Sequence, residues 1–122
     1  MKVMSASDIF TAAMCYKAKE ENFSEMCRIW KDEVFSTAPE IPGLISMQFI
    51  TEKNRQNKIA DIQNVYKAYA IGIWESISCA ENYMKTGVFK RLMERLDGIQ
   101  ETPPESRAWN TACYFSQDFL TE

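Results

Sequence analysis

The sequence contains no histidine. That absence excludes Ser-His and Cys-His nucleophile pairs, imidazole metal ligands and the side chain that most readily titrates near neutrality. The four cysteines, Cys15, Cys27, Cys79 and Cys113, form no CxxC pair. Neither a zinc ribbon nor a redox dithiol is therefore encoded locally, and free thiols are expected. Acidic residues such as Asp32, Glu33, Glu94 and Asp97 lack metal-loop spacing, so no metal site and no cofactor are expected. The longest stretch without a charge, Ile41 to Thr51, has 11 residues, too few to span a membrane, and no apolar leader-like run precedes Asp8. A cytoplasmic protein without a membrane partner is the expectation. Basic residues are outnumbered, 14 Lys plus Arg against 17 Asp plus Glu, and a net charge of −3 argues against a nucleic-acid partner.

Glycine and proline are sparse, four of each, while 46% of the chain is hydrophobic and 12% aromatic. Such a composition folds rather than remaining a low-complexity coil. At 122 residues the expectation is one domain, 1–122, with its core over about 9–117.

Ile9 to Ala18 is rich in strand formers and reads as a first strand. Asn22 with Glu25 matches a capping box, after which Phe23, Met26, Cys27, Trp30 and Val34 recur at helical spacing as one apolar stripe. Pro39, Pro42 and Gly43 end that helix and turn the chain. Leu44 to Thr51 reads as a second strand, Glu52 to Gln63 as a polar connection, and Tyr66 to Trp74 as a third strand. Ser78 with Glu81 suggests a second capping box. Met84, Val88, Phe89, Leu92, Met93 and Leu96 share a helical face that Thr86-Gly87 interrupts and Gly98 caps. Arg107 to Ser116 supplies the last strand.

The order strand, helix, strand, strand, helix, strand is the split βαβ arrangement of α+β, ferredoxin-like βαββαβ folds: a four-stranded antiparallel sheet with helices on one face. Neither alternate set of the first two strands is strongly polar. Phe10, Ala12, Met14 and Tyr16 face one way, and Ile9, Thr11, Ala13 and Cys15 the other. At roughly 25 cal/mol per Å², leaving several hundred Å² of apolar sheet in water forgoes on the order of 10 kcal/mol. A homodimer packed through the sheet face is the expected remedy.

The run Ala70-Ile71-Gly72-Ile73-Trp74-Glu75-Ser76, followed by Tyr83-Met84-Lys85-Thr86-Gly87-Val88-Phe89-Lys90, resembles the antibiotic-biosynthesis-monooxygenase group of dimeric α+β barrels. The likeness extends from Phe10 to Phe115 and rests mostly on pattern. It implies a homodimeric barrel with a pocket between sheet and helices, used by some members for cofactor-independent oxygenation of aromatic polyketides and by relatives for haem degradation. Two positions depart from the family. Polyketide-oxidising members carry an Asn four residues before the Trp, where this chain has Ala70; haem-degrading relatives carry a His ligand where this chain has Met93.

The expected ligand is a small aromatic or apolar molecule. Trp74 is the first candidate contact, because Ala70 and Gly72 share its strand face and leave room beside it. The alternative is that Gly72 admits a helix while Trp74 fills the core. Phe89 and Met93, with Trp30 and Met26, are candidate walls; Tyr16, Asn110 and Tyr114 are candidate hydrogen-bonding groups on an undetermined strand face. Cys79 near a helix start is a candidate reactive thiol without a base partner. No catalytic residue is assigned. Three functions follow: an oxygenase that binds an apolar substrate, a non-catalytic dimeric ligand-binding or interaction module, and haem handling through Met93.

Overall fold

The computed structural model describes residues 2–51, 65–100, 103–117 and 119–121. Its strands are β1 (Lys2–Met4), β2 (Phe10–Lys19), β3 (Leu44–Thr51), β4 (Val65–Trp74), β5 (Glu105–Asn110) and β6 (Phe119–Thr121). Its α-helices are α1 (Phe23–Glu33), α2 (Ile77–Met84) and α3 (Gly87–Leu96). Strands β2 to β5 form one antiparallel sheet in the order β3-β4-β2-β5, the ferredoxin-like α+β arrangement that the element order predicts. A separate parallel ribbon pairs β1 with β6. At three residues each, these two strands are too short to show a period in the sequence. The polar connection expected over Glu52 to Gln63 lies outside the described residues.

Helix α1 lays Phe23, Met26, Ile29 and Trp30 on the sheet, and Val34 just beyond it is also buried. The stripe is turned slightly from the expected one: Ile29 is buried, whereas Cys27 is only half-buried. From the other side α3 contributes Leu92 and Leu96, both fully buried. Between them Tyr16, Ala18, Tyr66 and Ala68 rise from β2 and β4. Glu33 ties the two helices together, accepting from Arg95 Nη1 at 3.0 Å and from Arg91 Nε at 3.5 Å.

Several element boundaries differ from the sequence reading. Asn22 has helical backbone angles and caps nothing; its side-chain amide donates to the Ile99 carbonyl at 3.5 Å, while Glu25 pairs with Arg28. Helix α1 stops at Glu33, and Pro39 falls in a separate 3₁₀ segment, Phe35–Glu40. Ser76, not Ser78, caps α2, its hydroxyl accepting from the Cys79 N–H at 3.3 Å. Thr86 serves two helices at once, donating to the Tyr83 carbonyl at 2.7 Å and accepting from the Phe89 N–H at 3.4 Å. Among the described glycines only Gly43 has a positive φ, 78°, so Gly98 is not a left-handed cap. Strand β5 ends at Asn110, which removes Tyr114 and Phe115 from the sheet; Phe115 is 83% exposed.

The sheet face away from the helices is mixed. Ala13, Tyr69, Ile71 and Ile73 form an apolar centre, bordered by Ser46, Gln48, Lys17, Lys67, Glu105 and Arg107. No helix among the described residues is long and apolar enough to cross a membrane. The four cysteines are free.

Candidate functional site: a hollow beneath the second helix

Strand register arranges the helix-facing side chains in rows across the sheet. One row runs Leu44, Trp74, Phe10, Asn110; the next runs Met47, Gly72, Ala12, Ala108; the third runs Phe49, Ala70, Met14, Ser106. Three of the four residues in the middle row are alanine or glycine. With strands about 4.8 Å apart, those three residues make a shallow trough about 10 Å long, bordered by larger side chains.

Helix α2 roofs the trough without filling it. It has only eight residues, and of those turned inward Ala80 contributes a methyl group and Tyr83 a ring. Phe89 from α3 and Trp30 from α1 complete the walls. What remains is a cavity of about 360 Å³, lined mainly by apolar atoms of the sheet, α2 and these two aromatic side chains. Its aromatic wall is continuous: Trp74 and Tyr83 have centroids 5.6 Å apart, and Tyr83 and Phe89 5.9 Å in an edge-to-face contact. Trp30 is held from behind, stacked on Phe49 at 5.6 Å.

The indole of Trp74 leans along its own strand, so that its Nε1 would lie 2.8 Å from a Cβ placed on Gly72. Gly72 is therefore required by close approach of the ring rather than by backbone conformation. Two polar atoms of lining residues, Trp30 Nε1 and the Tyr83 hydroxyl, are buried without a hydrogen-bond partner among the described residues; having almost no accessible surface, they turn away from the hollow that their rings help to line. Such orphans are uncommon in native structures, because each forfeits its bonds to water. Burial, reinforced by the negative charge of Glu33, pushes the Tyr83 hydroxyl up to about 12. The group is consequently a neutral donor over the ordinary pH range and a poor base. Among the described residues Glu81 is the only carboxylate in the lining, and it is exposed.

The structure brings Trp74 and Phe89 of the expected site residues into the cavity wall, together with Trp30. It does not bring the others there. Tyr16 is fully buried at the opposite end of the face, its hydroxyl donating to Met14 Sδ at 3.5 Å and its acidity weakened by burial. Met93 packs against the core, and Met26 is completely enclosed within it. Asn110 shares the row of Phe10 and Trp74 but is exposed at the sheet edge. Tyr114 lies beyond β5. Cys79 receives a hydrogen bond from the Ser76 hydroxyl at 3.3 Å and packs on the turn at Gly43. The lining residues missed by sequence reasoning include Ala12, Ala80, Tyr83 and Ala108. The signal for Ala12 was present, since it alternates between Phe10 and Met14 as a single small residue, but its alignment with Gly72 requires the register.

No protein-family profile matches the sequence, and no curated protein matches it. Solved structures do share its fold. A conserved protein of Methanosarcina mazei superposes with a TM-score of 0.68 at 12% identity, covering 87% of this chain and 95% of its own. A Caulobacter crescentus protein named "putative antibiotic biosynthesis monooxygenase" superposes with a TM-score of 0.68 at 13% identity, covering 89% and 94%. A Bacteroides thetaiotaomicron protein of the same name gives 0.65 at 14% identity, covering 93% and 96%. At these identities the likeness establishes architecture: the chain has the α+β fold of structures named as antibiotic-biosynthesis-monooxygenase-like proteins.

Proposed function

We propose that the chain binds a small, uncharged aromatic or otherwise apolar molecule in the hollow beneath α2 and acts on it as a cofactor-independent monooxygenase. The cavity itself carries this reading: about 360 Å³ of apolar, aromatic-walled space within a core that is otherwise closely filled. Trp74 and Phe89 supply flat contact area, and the Trp74 N–H above Gly72 orients a ligand oxygen. Tyr83 contributes the face of its ring, its hydroxyl being closed off from the hollow.

The chemistry compatible with these groups begins from the substrate's own acidity, because among the described residues the wall offers no base stronger than the exposed Glu81 carboxylate. An activated ring methylene loses a proton to water or Glu81. The carbanion then reduces dioxygen, and the CH₂ group plus O₂ becomes a carbonyl plus water, with no external reductant. The protein's contribution is exclusion of water, orientation, and hydrogen bonding to the oxygen that gains charge.

A second reading has its own support. Ala70 occupies the position where polyketide-oxidising members carry an Asn, and no strong base faces the cavity, which favours a ligand-binding module without turnover. Oxygen consumption with an anthrone, measured alongside anthrone binding, separates the two. Turnover that falls in Trp74→Phe supports the oxygenase; binding without turnover supports the module; no binding removes both. Haem handling has less support, since Met93 is not in the cavity wall.

The chain is further proposed to form a homodimer through the open sheet face. Ile71 and Ile73 at its centre, with Ile50 41% and Trp109 51% exposed nearby, make a surface better covered than hydrated. A hollow of about 200 Å³ among Ser46, Gln48, Ile71 and Ile73 offers a recess for a partner side chain. Sedimentation equilibrium should give a dimer, and a monomer at micromolar concentration would overturn this assignment.

A further inference from the structure

We infer that the ligand enters across β5 and lies along the trough, perpendicular to the strands, with Ala108 as the doorway residue that determines which molecules pass. This inference rests on the cavity being a ligand site. Every side chain of β5 is exposed, including Ser106 and Ala108, which register with Met14 and Ala12 on the helix-facing side and line the cavity. A residue that both lines a cavity and stands open to water marks the mouth of that cavity. At the opposite end the middle row terminates in Met47 on β3, which is half-buried and packed against the core.

The inner part of the roof is closed, while Ile77, Glu81 and Met84 along one side of α2 also line the cavity and are exposed, so the mouth is bordered by that side of α2 as well as by β5. Ala80 and Tyr83 are buried, and Trp30 is 3% exposed. Met47 closes the inner end of the row and the Trp74 ring lies over Gly72, so the open axis runs inward from Ala108 across Ala12 to that ring, about two inter-strand spacings or roughly 10 Å. A flat molecule no longer than that fits wholly inside; a longer one projects past β5 between Ser106 and Ala108. The chain therefore selects by length along the row, and by thickness between the sheet and α2.

Substitution at Ala108 tests this directly, because its side chain is in solvent and a larger residue there leaves the core untouched. Binding of 1-aminoanthracene, a neutral three-ring fluorophore, is measured by fluorescence for wild type, Ala108→Ser, Ala108→Leu and Ala108→Trp, with melting temperatures recorded for each. Affinity should fall with side-chain size, least in Ala108→Ser, further in Ala108→Leu, and at least about tenfold in Ala108→Trp with an unchanged melting temperature. Wild-type binding with an unaltered affinity and association rate in Ala108→Trp overturns the doorway while leaving the site intact. Absence of binding by wild type overturns the site, and the doorway with it.

Discussion

The two ends of one sheet face are built from the same strands yet packed in opposite ways. Beneath α1, β2 and β4 present Tyr16, Ala18, Tyr66 and Ala68, and the helices return Phe23, Met26, Leu92 and Leu96, all of them buried. Beneath α2, the same strands present Ala12 and Gly72 between Phe10 and Trp74, and the helix returns Ala80. Small strand residues are therefore not sufficient for a cavity. Ala68 is fully buried because a long helix with large side chains covers its end of the sheet, whereas Gly72 borders a hollow because an eight-residue helix covers the other. The lesson is that the void arises from a mismatch between floor and roof, which one face of one element cannot reveal.

The comparison predicts opposite responses to substitution. Leu92→Ala at the filled end should lose about 2–5 kcal/mol, measured by urea unfolding, because it opens a void where none exists. A loss below about 1 kcal/mol would mean that this end is loosely packed after all. Enlarging alanines should separate the ends further. Ala68→Val should cost about 1–3 kcal/mol through overpacking, while Ala12→Val, entering empty space, should change stability by under about 1 kcal/mol and weaken 1-aminoanthracene binding. Equal costs at the two positions would remove the distinction.

The unpartnered Tyr83 hydroxyl sharpens the comparison from the hollow side. Since no hydrogen bond is lost, Tyr83→Phe should leave stability unchanged or raise it by about 1 kcal/mol. Its titration gives a signed pH effect. The folded state holds the proton up to about 12, against 10.0 for an unperturbed tyrosine, so the unfolded chain binds fewer protons across that interval. Stability attributable to this group is therefore complete below pH 10.0 and declines as pH rises towards about 12. Alkaline unfolding curves should be shallower in Tyr83→Phe, and an identical slope would contradict the assignment. The smallest effect is expected at the filled end's surface tie. Glu33→Gln should cost about 0.5–1 kcal/mol, diminishing at high salt, because the paired Arg91 and Arg95 remain substantially hydrated.

Much of this architecture was legible in the residues. Alternation and helical spacing locate the four main strands and the broken helical segment at Thr86, because each buries one face and its period follows from backbone geometry. Capping was read less well: Asn22 and Ser78 fit the pattern, but the backbone starts its helices elsewhere and Ser76 takes the bond. A cap depends on where the chain enters the helix, which neighbouring elements decide. Trp74 and Phe89 were identifiable as cavity residues from small neighbours and helical position. Tyr16 and Met93 have equally suitable chemistry and were separated from the cavity only by their place along the strand and around the helix.

The sequence by itself determined the order of elements, the amphipathic faces that must be covered, and the absence of imidazole chemistry, because these depend on residue type and local period. Only the tertiary structure decided that Gly72, Ala12 and Ala108 fall in one line, that a short helix roofs them, and that Tyr83 lines the resulting space while its hydroxyl is buried without a partner among the described residues. Register across strands and the depth of a helix over a sheet are relations between segments distant in the chain, and no local pattern encodes them.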